Sequence, residues 1–259
     1  MATPFVHVAI DGPAGSGKTT VARALARRLG VLYLDTGAMY RAVALAALRR
    51  GVPIDEEAAI VRLAQAFPVR VMHDLEHPEG FRIISGDEEV GAALYGNEVS
   101  TVVSSVAAYP AVRRLMVERQ RAIAAEGPVV MAGRDIGTVV LPEAPVKIFL
   151  TASLDARVAR RLAELSERGT TVEPAELRAQ LAERDALDES RPVAPLRPAG
   201  DAQILDSTHL SVAEVVERIC TAVAAVRAAI GSGVGAAAVA GRGFGRRAGA
   251  GVDTPSTIT

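Results

Sequence analysis

Eight consecutive residues, Gly12-Pro13-Ala14-Gly15-Ser16-Gly17-Lys18-Thr19, are the first stretch whose residue types and spacing could do chemistry. Glycines let the backbone curl tightly, and with no side chain in the way their N–H groups can converge on phosphate oxygens. A helix opening at the end of such a loop adds unsatisfied donors and a partial positive charge. Lys18 is placed to reach the β- and γ-phosphates of a nucleoside triphosphate, and the Thr19 hydroxyl to ligate Mg²⁺. The apolar run Phe5 to Ile10 before the loop and the helix-like Thr20 to Leu29 after it supply the context the pattern needs. Cation usage sharpens this reading. The 29 basic residues divide into 27 arginines and only two lysines, Lys18 and Lys147. Lysine is kept where a compact charge on a thin stem must enter a phosphate cradle, a task that suits a planar guanidinium poorly.

Two neighbouring motifs are set aside. A dinucleotide fingerprint needs a third glycine where this chain has Thr20. A GTP-switch protein would carry an N-K-x-D motif, and neither lysine supplies one, since Lys147 follows Val146.

A phosphate loop does not name a reaction, and the residues that decide it lie at the ends of other strands. Tyr40-Arg41 follow the second apolar run, Gly133-Arg134-Asp135 follow the third, and Arg184, Asp188 and Arg191 precede a proline-rich loop. Arg157, Arg160 and Arg161 can share one face of a helix. With Asp155 and Glu164 nearby, that face also reads as a solvated surface with local ion pairs.

Short apolar strands alternating with helices imply an α/β, doubly wound parallel sheet covered on both faces. The runs Val31 to Leu34, Val129 to Met131, Val146 to Leu150 and Ala202 to Leu205 supply the later strands. Helices are expected over Thr36–Arg50, Asp55–Ala66, Asn97–Ala107, Pro110–Ala125, Leu154–Arg168, Pro174–Leu187 and from Val212 to about Ala229. Ser211 and Glu214 have the spacing of a capping box. Val69 to Met72 and Phe81 to Ile84 flank a polar loop and read as a hairpin, continued by an extended piece around Val90. That antiparallel patch marks an insert over 67–96. Residues 228–259 hold 8 Gly and 8 Ala among 32 and read as a flexible tail.

Composition bounds the rest. A chain of 259 residues, 49% hydrophobic, can bury a full core. A net charge of −1 argues against a sequence-independent nucleic-acid surface. One cysteine, Cys220, lies in an apolar helical stripe, excludes an intramolecular disulfide and fits a reducing compartment. With no signal-like segment and no apolar run of membrane-spanning length, a soluble cytoplasmic protein is expected.

Taken together, the motifs make the sequence resemble the bacterial cytidylate kinases of the nucleoside-monophosphate kinase group. The resemblance runs from about Val6 to Val226. It rests on Ile10 to Thr20, Leu34 to Ala42, Gly133 to Val140, Ala144 to Leu150, Glu183-Arg184-Asp185 and Arg191 to Leu196, in that order. It implies a P-loop NTPase-type five-stranded parallel sheet with strand one between strands three and four. It further implies a kinase domain over 1–227, an antiparallel acceptor-binding insert and a helical lid over 154–170. ATP would lie on Gly12, Pro13, Ala14, Gly15, Ser16, Gly17, Lys18, Thr19 and Thr20, with Thr19 on Mg²⁺. Arg41, Arg134 and Arg191 would hold the acceptor phosphate, with Thr36 and Tyr40 alongside. Ser104, Arg113 and Asp135 would read cytosine, while Arg184 and Asp188 would hold the sugar. Arg157 and Arg161 would close over the ATP phosphates, joining Lys18, Arg134 and Arg191 as the catalytic set. The implied reaction is ATP-dependent phosphorylation of CMP and dCMP in pyrimidine nucleotide metabolism, by a monomer with no nucleic-acid or membrane partner.

The chain departs from its apparent relatives at Ala132, where they usually carry an acidic residue that helps hold the water shell of Mg²⁺. Alternatives are a kinase for another small acceptor (UMP, dTMP or shikimate) or a regulatory module that binds nucleotide without turning it over. Ala132 favours the module. The arginine set argues against it, since a passive binder needs no second phosphate site.

Overall fold

The computed structural model describes residues 6–66, 69–74, 76–77, 80–167 and 169–232. Its first strand, β1 (Val8–Asp11), is buried at every position, as a strand covered on both faces must be. Helix α1 (Lys18–Leu29) starts two residues earlier than the apolar pattern suggested, because Gly17 ends the loop in a left-handed conformation (φ 89°). Strand β2 (Leu32–Asp35) leads directly into α2 (Thr36–Arg49). Asp35 caps that helix, its Oδ1 accepting from the Gly37 N–H at 2.9 Å. Helix α3 (Glu57–Ala66) follows.

The expected hairpin is a separate three-stranded antiparallel sheet, β3 (Val69–His73), β4 (Phe81–Ser85) and β5 (Glu88–Glu89). The third strand comes just before Val90, where an extended piece was expected. The chain turns back at Gly86 (φ 66°), and Val90 itself is buried, its N–H bonding the Ile83 carbonyl at 3.0 Å. A 3-10 turn, Gly91–Tyr95, then leads into α4 (Asn97–Ala108) and α5 (Pro110–Ala125).

Strand β6 (Val129–Gly133) is followed by a π-helical turn, Ile136–Val140, and strand β7 (Val146–Thr151) by helices α6 (Leu154–Glu167) and α7 (Pro174–Ser190). Helix α7 runs three residues past the expected Leu187, so Asp188 lies on the helix rather than in the loop after it. Strand β8 (Gln203–Asp206) and helix α8 (Val212–Gly231) complete the described chain. The capping box at Ser211 and Glu214 is present, with both reciprocal bonds formed (2.8 and 3.3 Å). Helix α8 carries two residues beyond the expected Ala229, so the tail expected from 228 begins inside it. The rest of that tail, 233–259, lies outside the described residues.

The five major strands form one parallel sheet in the order β2-β6-β1-β7-β8, with the first between the third and fourth, as the resemblance implies. Register sets the rim. Asp35 pairs with Ala132 and Asp11 with Gly133, so the loops after β1, β2 and β6 leave the sheet side by side. In an open α/β sheet that rim is where ligands collect. A second, small apolar cluster lies apart from the main core. Ala14, at the tip of the loop after β1, packs there with Val158 of α6 and Leu177 and Leu181 of α7.

Candidate active site

Above the strand ends lies a cavity of about 790 Å³. Its walls are the Ala14–Val21 loop and helix start, the Asp35–Gly37 turn, Tyr40 and Arg41, Ala132–Asp135, and side chains from α4, α6 and α7.

The loop is a backbone cradle. Gly12 (φ 150°), Gly15 (φ 73°) and Gly17 (φ 89°) all hold positive φ. A Cβ at Gly12 would lie 2.0 Å from the Leu150 carbonyl oxygen, so no other residue fits there. Lys18 is buried, and its Nζ donates to the Pro13 carbonyl (2.6 Å) and to Ser16 Oγ (3.3 Å). Burial, reinforced by the charge of Arg134, pushes its pKa well down from the ordinary lysine value. Thr19 Oγ1 lies 3.5 Å from Asp35 Oδ2.

Of the cytosine-reading residues implied by the resemblance, Arg113 and Asp135 meet in the cavity wall. Arg113 Nη2 donates to Asp135 Oδ2 at 2.5 Å, and its Nη1 to the Ala107 carbonyl at 3.1 Å. Both residues are almost fully buried, and the Arg113 guanidinium lies over the Tyr40 ring, 5.5 Å from its centroid. Burial pushes the Tyr40 phenol up to about 12, although Arg113 pulls the other way. Ser104 lines the same cavity. Thr36 lines it too, but its hydroxyl is committed to the Ala132 carbonyl at 2.9 Å. Gly133 makes that approach possible, since a Cβ there would lie 2.6 Å from Thr36 Oγ1.

Asp188 anchors the arginines. Its Oδ2 accepts from Arg134 Nε at 2.7 Å and its Oδ1 from Arg191 Nη2. Burial raises the Asp188 pKa, but Arg134, Arg191 and Arg184 outweigh it and hold the carboxyl below the usual aspartate range. Arg184 pays for the crowding: burial, then the Arg134 charge, push it down to about 10. Arg41 reaches from α2 to the Leu94 carbonyl (3.2 Å) and Ser100 Oγ (3.0 Å), and its guanidinium lies 5.5 Å from the centre of the Tyr95 ring.

The three arginines of α6 do not act as a group. Arg161 lines the cavity and pairs with Glu164 at 2.6 Å. Arg160 lines it as well, bonding Ser207 Oγ (3.0 Å) and the Ser207 carbonyl (2.5 Å). Arg157, expected over the ATP phosphates, is not a cavity-lining residue. It is buried beneath the loop, where Nη1 bonds Asp185 Oδ2 and the Ala14 carbonyl (3.1 Å), and Nε bonds the Ala152 carbonyl (3.2 Å). Spacing gave a common helical face, but Arg157, a turn nearer the helix start, is taken up by the Ala14 carbonyl and Asp185.

Three residues hold the site in ways the sequence did not give, although Asp11 and Asp185 stand within its motifs. Asp11 accepts from the Ile136 and Gly137 N–H groups, both at 2.7 Å, and so fixes the turn after Asp135. Asp185 and Ser207 hold the loop from the side. Asp11 and Asp185 left a signal, as members of the Ile10–Thr20 and Glu183-Arg184-Asp185 motifs, and Ser207 left none. Lys147, the second lysine, is a strut whose Nζ bonds both oxygens of Asp201 (2.9 and 2.7 Å).

As a Mg²⁺ site, the Thr19 hydroxyl and the Asp35 carboxylate suit an ion that keeps several waters and takes its other oxygens from substrate phosphates. No cluster of three or more His, Cys, Asp or Glu side chains fit to hold a metal occurs among the described residues.

A parallel sheet with a glycine cradle on one side of its rim and an arginine-lined pocket on the other defines a P-loop kinase. The chain belongs to the cytidylate kinase family, whose model matches residues 8–225. It is 49% identical to a cytidylate kinase of Pelotomaculum thermopropionicum, over 86% of this chain and 98% of that one. A cytidylate kinase of Desulfitobacterium hafniense is 48% identical over 83% of this chain and 90% of its own length. A bifunctional pantoate ligase/cytidylate kinase of Synechococcus is also 48% identical, over 82% of this chain but only 39% of that longer protein.

Proposed function

We propose that this protein transfers the γ-phosphoryl group of ATP to the phosphate of CMP and dCMP, in pyrimidine nucleotide metabolism. An oxygen of the acceptor phosphate forms the new bond to phosphorus, the bond to the β,γ-bridging oxygen breaks, and ADP leaves. Two polyanions must be brought in line against their repulsion, and the arrangement of the cavity supports that task. On the donor side, the N–H groups of the loop and the Lys18 ammonium stabilise the β- and γ-phosphates, with Arg161 closing from α6. On the acceptor side, Arg41, Arg134 and Arg191 hold the phosphate, while Arg184 and Asp188 take the sugar. Thr19 and Asp35 would hold the Mg²⁺ of the bound nucleotide, which would supply charge neutralisation to the phosphates.

The observation that carries acceptor choice is the buried Arg113–Asp135 pair in the cavity wall. Cytosine presents an N4 amino donor, and a carboxylate is its natural acceptor. The antiparallel sheet within 67–96 serves as the acceptor-side insert and α6 as the lid, on a kinase domain spanning 1–227. The protein acts as a cytoplasmic monomer, with no nucleic-acid or membrane partner. No described helix is long and apolar enough to cross a membrane.

Other acceptors are not favoured, because the family and the buried carboxylate point the same way. A coupled ADP-release assay across CMP, dCMP, UMP, dTMP and shikimate tests the proposal. Turnover on CMP and dCMP well above the others is expected; equal rates on UMP would overturn it.

A further inference from the structure

Three carbonyl groups of the phosphate loop are each held by a side chain. Lys18 holds that of Pro13. Arg157 holds that of Ala14 at 3.1 Å. Arg160 Nη1 (3.4 Å) and Ser207 Oγ (3.2 Å) both reach that of Ser16. Asp185 completes the set: Oδ1 takes the Ala14 N–H (3.3 Å) while Oδ2 pairs with Arg157. A trans peptide is planar, with its C=O and the following N–H pointing opposite ways, and no cis bond occurs in the described chain. Fixing the carbonyls of Ala14 and Ser16 therefore turns the N–H groups of Gly15 and Gly17 the other way, into the cavity that both glycines line.

From this geometry we infer that Asp185, Arg157 and Ser207 are positioning residues for the ATP-binding loop. They set the direction of its N–H groups, Asp185 and Arg157 from outside the cavity and Ser207 from its wall, through its bond to the Ser16 carbonyl. The inference rests on the kinase reading above. Its physical basis is that glycines at positive φ leave the peptide planes free to rotate, so a cradle for phosphate must be ordered from outside. The apolar seat of Ala14 among Val158, Leu177 and Leu181 holds the same tip from below. Arg157 also fits closely beside the loop, because a Cβ on Gly15 would lie 3.2 Å from the Arg157 Cβ.

The alternative role for Arg157 is direct contact with phosphate, and Asp185→Asn separates the two. ATP–Mg²⁺ binding is measured by calorimetry on the full chain without acceptor, and CMP binding without donor. The positioning role predicts that Asp185→Asn weakens ATP binding by roughly tenfold, the loss of one charge-assisted hydrogen bond, with CMP binding within about twofold of wild type. Ser207→Ala removes one of two holds on the Ser16 carbonyl and should weaken ATP binding by roughly threefold. ATP binding equal to or tighter than wild type in Asp185→Asn would overturn the proposal, since a released Arg157 would then be serving phosphate itself. If circular dichroism finds Asp185→Asn unfolded, Ser207→Ala decides alone, and unchanged ATP affinity in it sinks the idea. Failure of the wild type to phosphorylate CMP would instead overturn the functional reading and leave this donor-side result standing.

Discussion

Arg113 and Asp135 come from different elements, 22 positions apart, and are bonded to each other at 2.5 Å in near-complete burial. A carboxylate so placed has one strong donor already and one oxygen left for a ligand. Set against cytosine, that oxygen finds the N4 amino group. Set against uracil, it faces a carbonyl lone pair and loses solvation with nothing gained. We expect UMP to be worse than CMP by roughly 10² to 10⁴-fold in kcat/KM. Asp135→Asn should narrow that gap chiefly by losing CMP, because an amide can turn either end to the base. Arg41→Ala should weaken all acceptors alike. An Asp135→Asn enzyme that keeps the wild-type preference would move base reading to other residues.

Lys18 sits inside the loop with its ammonium bonded to the Pro13 carbonyl. Lys18→Ala should lower kcat on the order of 10²-fold or more while leaving the fold intact. Steady-state rates beside a thermal melt check this, and near-normal turnover would take the loop out of the mechanism.

Asp35, whose carboxylate lies 3.5 Å from the Thr19 hydroxyl, is the register partner of Ala132 on the adjacent strand. A carboxylate introduced by Ala132→Asp would join Asp35 on the side of the bound metal. The variant should reach half-maximal rate at a lower Mg²⁺ concentration, and Asp35→Asn should need more. Asp35→Asn must be read at matched folded fraction, because Asp35 also caps α2. An unchanged Mg²⁺ requirement in both variants would place the metal shell elsewhere.

Asp11 gives a pH dependence with a definite sign. Burial pushes its pKa up to about 6, the Gly137 and Ile136 N–H groups oppose that, Asp135 adds to it and Lys18 subtracts. The unfolded value is 3.8, so between about pH 4 and 6 the folded protein binds the extra proton. Stability from this group is therefore highest below pH 4, falls as pH rises to 6 and is flat above, by about 3 kcal/mol in all. Denaturant unfolding of wild type and Asp11→Asn across pH 4 to 7 isolates it. The difference between the two should move in the variant's favour through the window, and a constant difference would refute the sign.

How far the sequence disclosed the site depends on what each residue answers to. The phosphate loop was legible because its motif ties backbone geometry to local positions, whereas the strand order and the role given to the carboxylate after β6 came only with the family resemblance. The roles of Arg157, Asp185, Ser207 and Asp11 were not legible. Asp11 and Ser207 act across 125 and 191 positions of chain, on the Ile136 N–H and near the Ser16 carbonyl. Helical spacing placed Arg157 and Arg161 on one face, yet could not tell that Arg157 turns under the loop while Arg161 faces the cavity. Burial of the Thr36 hydroxyl against Ala132 was equally invisible, since it depends on the register of β2 with β6.

The crowding of Arg134, Arg184 and Arg191 around a single aspartate has a consequence for the medium in which the enzyme works. Arg134 and Arg191 pair with one carboxylate while Arg184 lies in the same field, which leaves a surplus of positive charge facing the cavity; burial first, and the Arg134 charge second, push Arg184 down to about 10. Such a pocket is a trap for counter-ions. Any small polyanion in its surroundings, inorganic phosphate included, relieves the mutual repulsion and competes with the acceptor for the same seats. The affinity that the enzyme displays for its substrate is then partly a property of the solution, set by which anions are already at the door.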